Sequence, residues 1–158
     1  MTEHYEPASD FLKAVAAEEV PLAGSSFADA NLRRLIAMTR DDDVSNRDWA
    51  TMLLASEESD TSEIREALLS AANDENDVVR EEALVGIARR DRALALPLVL
   101  EALSGDSAGM PLFEAAALVA DPALVGVLRP WTERSDDEWL DQLAFDALAA
   151  CENSQPTP

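Results

Sequence analysis

The stretch Asp77-Val-Val-Arg80-Glu-Glu-Ala83-Leu-Val-Gly-Ile-Ala88-Arg-Arg-Asp91-Arg-Ala-Leu-Ala-Leu-Pro97-Leu-Val-Leu-Glu-Ala-Leu103 decides the fold. Its apolar residues recur at helical spacing on both sides of a short turn at Asp91, so it reads as a helical hairpin. The frame that opens it, Ala83-Leu-Val-Gly-Ile-Ala88, returns as Ala50-Thr-Met-Leu-Leu-Ala55, Ala115-Ala-Ala-Leu-Val-Ala120 and Ala144-Phe-Asp-Ala-Leu-Ala149. The first alanines are 33, 32 and 29 residues apart, and Leu54, Ile87, Val119 and Leu148 each precede the closing alanine. A second helical series lies between the frames: Leu32, Ile36 and Met38 correspond to Ile64, Leu68 and Ser70, and Leu68, Leu69 and Ala71 to Val99, Leu100 and Ala102. Two interleaved series at one period mean hairpins stacked side by side, because a single hairpin cannot bury both of its faces. Small alanines allow close approach of neighbouring helices. The aliphatic residues beside them fill the seam, each contributing about 1.5–3 kcal/mol of transfer energy when buried.

Turn and capping residues mark where each helix starts. Asp10 precedes a short leading helix, Phe11 to Glu19, stopped by Pro21 and Gly24. The pairs Ser26/Asp29, Ser45/Asp48, Asp60/Glu63 and Ser135/Glu138 are spaced as capping boxes or their relatives, with an oxygen for an unpaired amide and an acid near the positive helix end. Asp121-Pro122 is a cap followed by proline at the first helical position, and Pro111 opens a helix in the same way. Pro97 is expected to follow a preliminary turn at residues 92–96 rather than to sit inside a continuous helix. Trp131, Trp139 and Phe145 are read as a bulky cap on the last repeat. Residues 1–9 and 152–158 are expected to be disordered tails flanking one domain over 10–151.

The stretch 77–103 resembles a HEAT repeat, specifically the short variety called the phycobiliprotein-lyase HEAT-like repeat. The likeness lies in Asp77, then Val79-Arg80, the Ala83-Leu84 pair, the Asp91 turn, and a second helix with the early Pro97 and a Leu-rich end. Residues 44–73 keep Arg47 and Ala50 but place Thr51 after that alanine, whereas 109–131 and 136–151 have Leu112 and Asp141 where the arginine is expected. The resemblance implies an all-α protein, a right-handed α-solenoid of about four stacked antiparallel hairpins. It implies little about activity, because such repeats serve scaffolds, adaptors, lyase subunits and a few enzymes.

Composition narrows the function. The 158 residues carry 12 Lys and Arg against 32 Asp and Glu, a net charge of −20, with 47% apolar residues, one cysteine and one histidine. That apolar fraction suits a globular core. A lone Cys151 forms no internal disulfide, and the first thirty residues lack the basic and apolar regions of a signal peptide, so a soluble, cytoplasmic protein is expected. Strong net negative charge opposes a phosphate backbone or an anionic membrane, so neither nucleic acid nor a membrane is the expected partner. The same charge departs from the DNA glycosylases that share HEAT-like folds and bind the duplex through a basic surface.

The expected chemistry is equally limited. His4 falls in the expected tail, so it cannot complete a Ser-His-Asp or Cys-His arrangement on a rigid element. Cys151 has no basic residue within a turn to activate it, and zinc would need several Cys or His ligands. HEAT-like metal hydroxylases rely on His-Glu pairs, which do not occur here. An EF-hand read from Asp41 puts Asn46 where glycine belongs and Met52 where glutamate belongs, and the run from Asp74 lacks the glycine too. No phosphate-binding glycine loop is present, and no cofactor or metal is expected.

Partner-binding residues are sought on the second helices, which line the partner-holding surface in stacked hairpins. They are Arg33, Arg34, Arg65, Glu66, Arg92, Glu101 and Arg129. An acidic edge is expected at the turns entering the hairpins, with Asp41, Asp42, Asp43, Asp74, Glu75 and Asp77, and also 136–138; residues 41–77 alone hold 12 acids and 2 bases. Arg47 and Arg80, at matching repeat positions, are expected to form an internal ladder with Asp77 or Asp43. Three functions follow: a non-catalytic adaptor or assembly factor using the second-helix face; an acidic inhibitor or immunity protein neutralising a basic effector; or an accessory subunit of a lyase-type modifying enzyme. All three imply another protein as partner, and the excess of acids on the edge argues for a basic segment in it.

Overall fold

Side-chain oxygens set most helix starts in the computed structural model, which describes residues 6–133 and 135–154. Ser9 caps α1 (Asp10–Ala16), Ser25 caps α2 (Ser26–Met38), Asp43 caps α3 (Val44–Ser56) and Thr61 caps α4 (Ser62–Ala71). The side-chain oxygen of Asn76 accepts from the amides of Val78 and Val79 at 2.9 and 3.2 Å, starting α5 (Asp77–Arg90). Asp91 caps α6 (Arg92–Leu103), and Gly109 precedes α7 (Met110–Val119), whose second residue is Pro111. After α7 the chain forms a 3₁₀ turn at Pro122–Leu124, the single turn α8 (Val125–Leu128) and a second 3₁₀ turn at Arg129–Thr132. Asp137 then caps α9 (Glu138–Glu152), accepting from the amides of Trp139 and Leu140. Among the described residues there is no strand.

Several caps differ from the sequence reading by one or two residues. Asp43 takes the place expected of Ser45, Thr61 that of Asp60, and Asp137 that of Ser135. Ser135 instead turns to Asp141, with its amide at 2.9 Å and its hydroxyl at 2.8 Å from that carboxylate. Pro97 is inside α6, not after a preliminary turn. It is the sixth of the helix's twelve residues, where it removes one ladder bond. Pro97 and Ala93 are both exposed, so water can satisfy the Ala93 carbonyl that loses its donor. Gly24 has φ 100°, a conformation that only glycine adopts without strain, and it turns the chain into α2.

The packing divides into two compact units, Met1–Ala83 and Leu84–Pro158. In the first, α1 and α2 pack on α3, and α3 packs on α4, over Leu12, Leu35, Leu54, Ile64 and Leu68. Ala71, Val79 and Ala83 continue that core from α4 into the start of α5. In the second unit α6 packs on α7 and on α8, and α7, α8 and both 3₁₀ turns pack on α9. Val99, Leu112, Val119, Leu124 and Leu128 fill its core. Trp131 lies edge-on to Phe113, with ring centres 6.1 Å apart, and its indole N–H donates to the Leu103 carbonyl at 3.0 Å. The opening alanines of all four frames, Ala50, Ala83, Ala115 and Ala144, are 0% exposed, as the close-approach argument requires.

Of the expected tails, residues 1–5 and 155–158 lie outside the described residues, and His4 with them. Pro7 is buried, and the Ser9 amide donates to Asn46 Oδ1 at 2.9 Å. At the other end α9 runs to Glu152.

Candidate functional site

The acidic turns of the first unit are built around Arg47. From the first turn of α3 its guanidinium meets Asp74 at 3.0 and 3.4 Å, and it donates to the carbonyls of Asp41 and Asp42 at 3.1 and 3.3 Å. The Arg47 and Asp74 side chains are 13% and 12% exposed, so this is a shielded pair that fastens one hairpin-entry turn to the next. Arg80 donates to the carbonyl of Asp74, six residues before it, at 2.7 Å, as Arg47 does to that of Asp41, and pairs with Asp77 in its own turn. Arg80 thus takes the expected Asp77, within its own turn, whereas Arg47 reaches across to the next turn. Arg47 takes Asp74 and not Asp43, because the Asp43 carboxylate is occupied by the Ser45 hydroxyl and the Asn46 amide at the start of α3. Those two bonds hold the Asp43 carboxyl below its ordinary pKa.

Four of the six edge acids are thus structural. Asp41 accepts from the Asn46 side chain at 3.0 Å and the Asp43 amide at 3.1 Å, while Asp43, Asp74 and Asp77 hold caps or arginines. Asp42 is exposed, and Glu75, its side chain 91% exposed, approaches the Arg47 guanidinium at 3.8 Å. With Arg40 they rim an open groove of about 460 Å³ floored by Thr39, Ala71 and the Arg47–Asp74 pair.

The second-helix residues differ in their commitments. Arg33 and Arg34 follow one another on α2; Arg34 lies 4.2 Å over the Phe11 ring, and Arg33 is exposed. On α4, Arg65 forms a two-pronged pair with Asp60 at 2.8 and 2.7 Å, and Glu66 is exposed. In the second unit, Arg92 at the start of α6 donates to the carbonyls of Val119 and Ala120, covering the end of α7. Glu101 on α6 and Arg129 in the second 3₁₀ turn are exposed. Arg34, Arg65 and Arg92 therefore already serve the fold, which leaves Arg33, Glu66, Glu101 and Arg129 as the more available side chains.

Two features escaped the sequence reading. Asn46, 8% exposed, joins α1 to the Asp41 turn through both ends of its amide. Trp139 and Phe145, expected to cap the last repeat, are 64% and 48% exposed on α9. Of the three aromatics, Trp131 is the one packed, against Phe113 and the Leu103 carbonyl. Cys151 is buried, its thiol 3.6 Å from the Ala116 carbonyl, and burial pushes its pKa up. Among the described residues no group of three or more Cys, His, Asp or Glu side chains is placed to hold a metal ion. No helix of the described residues is long and apolar enough to cross a membrane.

These elements define an all-α protein of short packed helices. The same fold is found in the X-ray structure of Escherichia coli YibA, with a TM-score of 0.63 over 91% of this chain and 55% of that one, at 21% identity. In sequence, Protein YibA of Escherichia coli strain K12 is 28% identical over 119 residues, which is 75% of this chain and 42% of the relative. The counterpart in strain O157:H7 gives the same figures. The chain thus spans about half the length of the relatives it matches. No family model matches it.

Proposed function

We propose that the chain is a non-catalytic protein-binding module, an adaptor or assembly factor, that holds its partner on the outward side of the second helices. The solenoid reading is supported by packing between alternate helices within each unit: α1 on α3 in the first, α7 on α9 and α6 on α8 in the second. A single observation carries the functional reading. In the first unit Arg47 fastens the turn at 41–43 to Asp74 and Arg80 braces its own turn, whereas Arg33 and Glu66 stand exposed; in the second unit Glu101 and Arg129 stand exposed. A mixed-charge surface on packed helices suits recognition of a helix or loop of another protein. A lone buried Cys151 fits a cytoplasmic setting.

Affinity purification from the source cells, with the full chain as bait, tests this. The double reversal of Arg33→Glu and Glu66→Lys changes two exposed side chains that hold neither a helix cap nor a hairpin-entry turn, and it should lose the partner that the native chain retains. A partner that persists with the variant places the binding surface elsewhere.

A second reading, an acidic inhibitor or immunity protein for a basic effector, is favoured by the groove rimmed by Asp42 and Glu75. It requires steeply salt-dependent association that Asp42→Lys with Glu75→Lys abolishes. The lyase-subunit reading has repeat type as its sole support.

A further inference from the structure

The outer side of α9 carries two exposed aromatic side chains. The inner stripe, Ala144, Ala147 and Cys151, is buried against α7 and its neighbours. On the opposite side Trp139 and Phe145 are 64% and 48% exposed. They are six residues apart, so their Cα atoms are separated by about 9 Å along the axis and diverge by about 120° around it. Between them runs a polar strip in which the Gln142 side-chain amide donates to Asp146 at 2.9 Å. The helix carries Glu138, Asp141, Asp146 and Glu152 and no basic residue. Trp131, by contrast, has both an aromatic neighbour and a hydrogen-bond acceptor, so the exposure of Trp139 is not a general property of tryptophan in this fold.

We propose that this face docks a basic amphipathic helix of another protein. Apolar side chains of such a helix would pack against the Trp139 and Phe145 rings, and its Lys or Arg residues would meet Glu138 and Asp146 on the strip between them or stack on the indole. Charge complementarity selects this occupant. A nucleic acid or an acidic helix would bring like charge to the strip, and a second copy of this chain would oppose carboxylate to carboxylate across a two-fold axis. The proposal rests on reading the chain as a protein-binding module, but it assigns a surface separate from the second-helix residues.

The probes are two fluorescein-labelled synthetic amphipathic helices of about 18 residues, sharing one leucine face and carrying either lysine or glutamate on the other. Anisotropy is read with the full chain. The lysine peptide should bind saturably and shift the Trp139 emission to the blue, while the glutamate peptide should not bind. The pair Trp139→Ala and Phe145→Ala leaves the net charge unchanged, yet should weaken binding about tenfold or more. Asp146→Lys, at an exposed position that perturbs no core contact, should weaken it independently. Phe27→Ala removes a still more exposed ring on α2 and should have no effect. Binding that survives the double aromatic variant, equal binding of both peptides, or no binding of the lysine peptide overturns the proposal. So does a dimer in sedimentation that Trp139→Ala dissolves, which would assign the face to a second copy. If the bait recovers no partner but the lysine peptide binds through Trp139, the second-helix assignment fails and this one stands. A partner lost on Arg33→Glu with Glu66→Lys, together with no peptide binding, fails this proposal alone.

Discussion

Arg47→Ala should destabilise the chain far more than Arg65→Ala does. The substitution leaves the Asp74 carboxylate, 12% exposed, without its guanidinium and with the Asn76 amide still donating to it at 2.9 Å. It also strips the Asp41 and Asp42 carbonyls of their guanidinium donor. Breaking a fully buried ion pair costs about 3–5 kcal/mol, and the open groove beside this pair lets water reach part of it, so a loss of about 3 kcal/mol is expected. Arg65→Ala is the internal control. Its pair with Asp60 is 37% exposed on both sides and should be worth no more than about 1 kcal/mol. Urea unfolding followed by circular dichroism at neutral pH reads both. With a slope of roughly 2 kcal/mol per molar urea, Arg47→Ala moves the midpoint of the transition that reports the first unit down by about 1.5 M. A cycle with Asp74→Asn should return a coupling of about 1–3 kcal/mol that persists in high salt. If Arg47→Ala and Arg65→Ala fall within about 0.5 kcal/mol of each other, the two turns are not held by this pair and the ladder argument fails.

Further outcomes follow from single positions. Ala120 ends α7 at φ 48° and ψ 47°, a conformation that costs a residue with a Cβ about 1 kcal/mol; Ala120→Gly should therefore raise stability by roughly 0.5–1 kcal/mol, and a loss on thermal unfolding would contradict the assigned turn. The pKa of Asp43 is depressed in the folded state, so its stabilising contribution is complete above the unfolded-state value and is lost as pH falls through the folded one. Asp43→Asn keeps a capping oxygen but not the charge, and should flatten the acid limb of a stability-versus-pH curve; an unchanged limb would rule that role out. Buried Cys151, its pKa raised, should resist a thiol reagent in the native protein at neutral pH and react at once in denaturant, whereas prompt native labelling would show that the end of α9 opens readily.

The repeat was legible because it depends on size and spacing alone. Ala50, Ala83, Ala115 and Ala144 announce close approach at one period, and all four are buried. Cap identity was legible only to within a turn's ambiguity. Asp41, Asp42 and Asp43 are three equivalent candidates in sequence, and only the path of the backbone decides that Asp43 caps α3 while Asp41 accepts from Asn46. The two arginines show the same limit: the matching positions of Arg47 and Arg80 signal a shared role, but whether an arginine reaches its own turn or the next depends on how the helices pack. Trp139 and Phe145 misled because large apolar residues are ordinarily buried. Helical spacing could have warned of it: Ala144, Ala147 and Cys151 form the inner stripe of α9, and both aromatics fall outside it. Pro97 misled for the reverse reason, since a general rule against proline in helices ignores the case in which the carbonyl that loses its donor, here that of Ala93, lies on an exposed turn that water can reach.

Photo-crosslinking with the purified partner addresses the central claim most directly. A photoreactive residue is placed in turn at Arg33 and Glu66 on the second helices and at Asp42 and Glu75 on the acidic edge, all of them exposed. The second-helix surface predicts adducts from Arg33 and Glu66 and none from Asp42 and Glu75. Adducts confined to Asp42 and Glu75 would contradict it and assign the partner to the acidic groove.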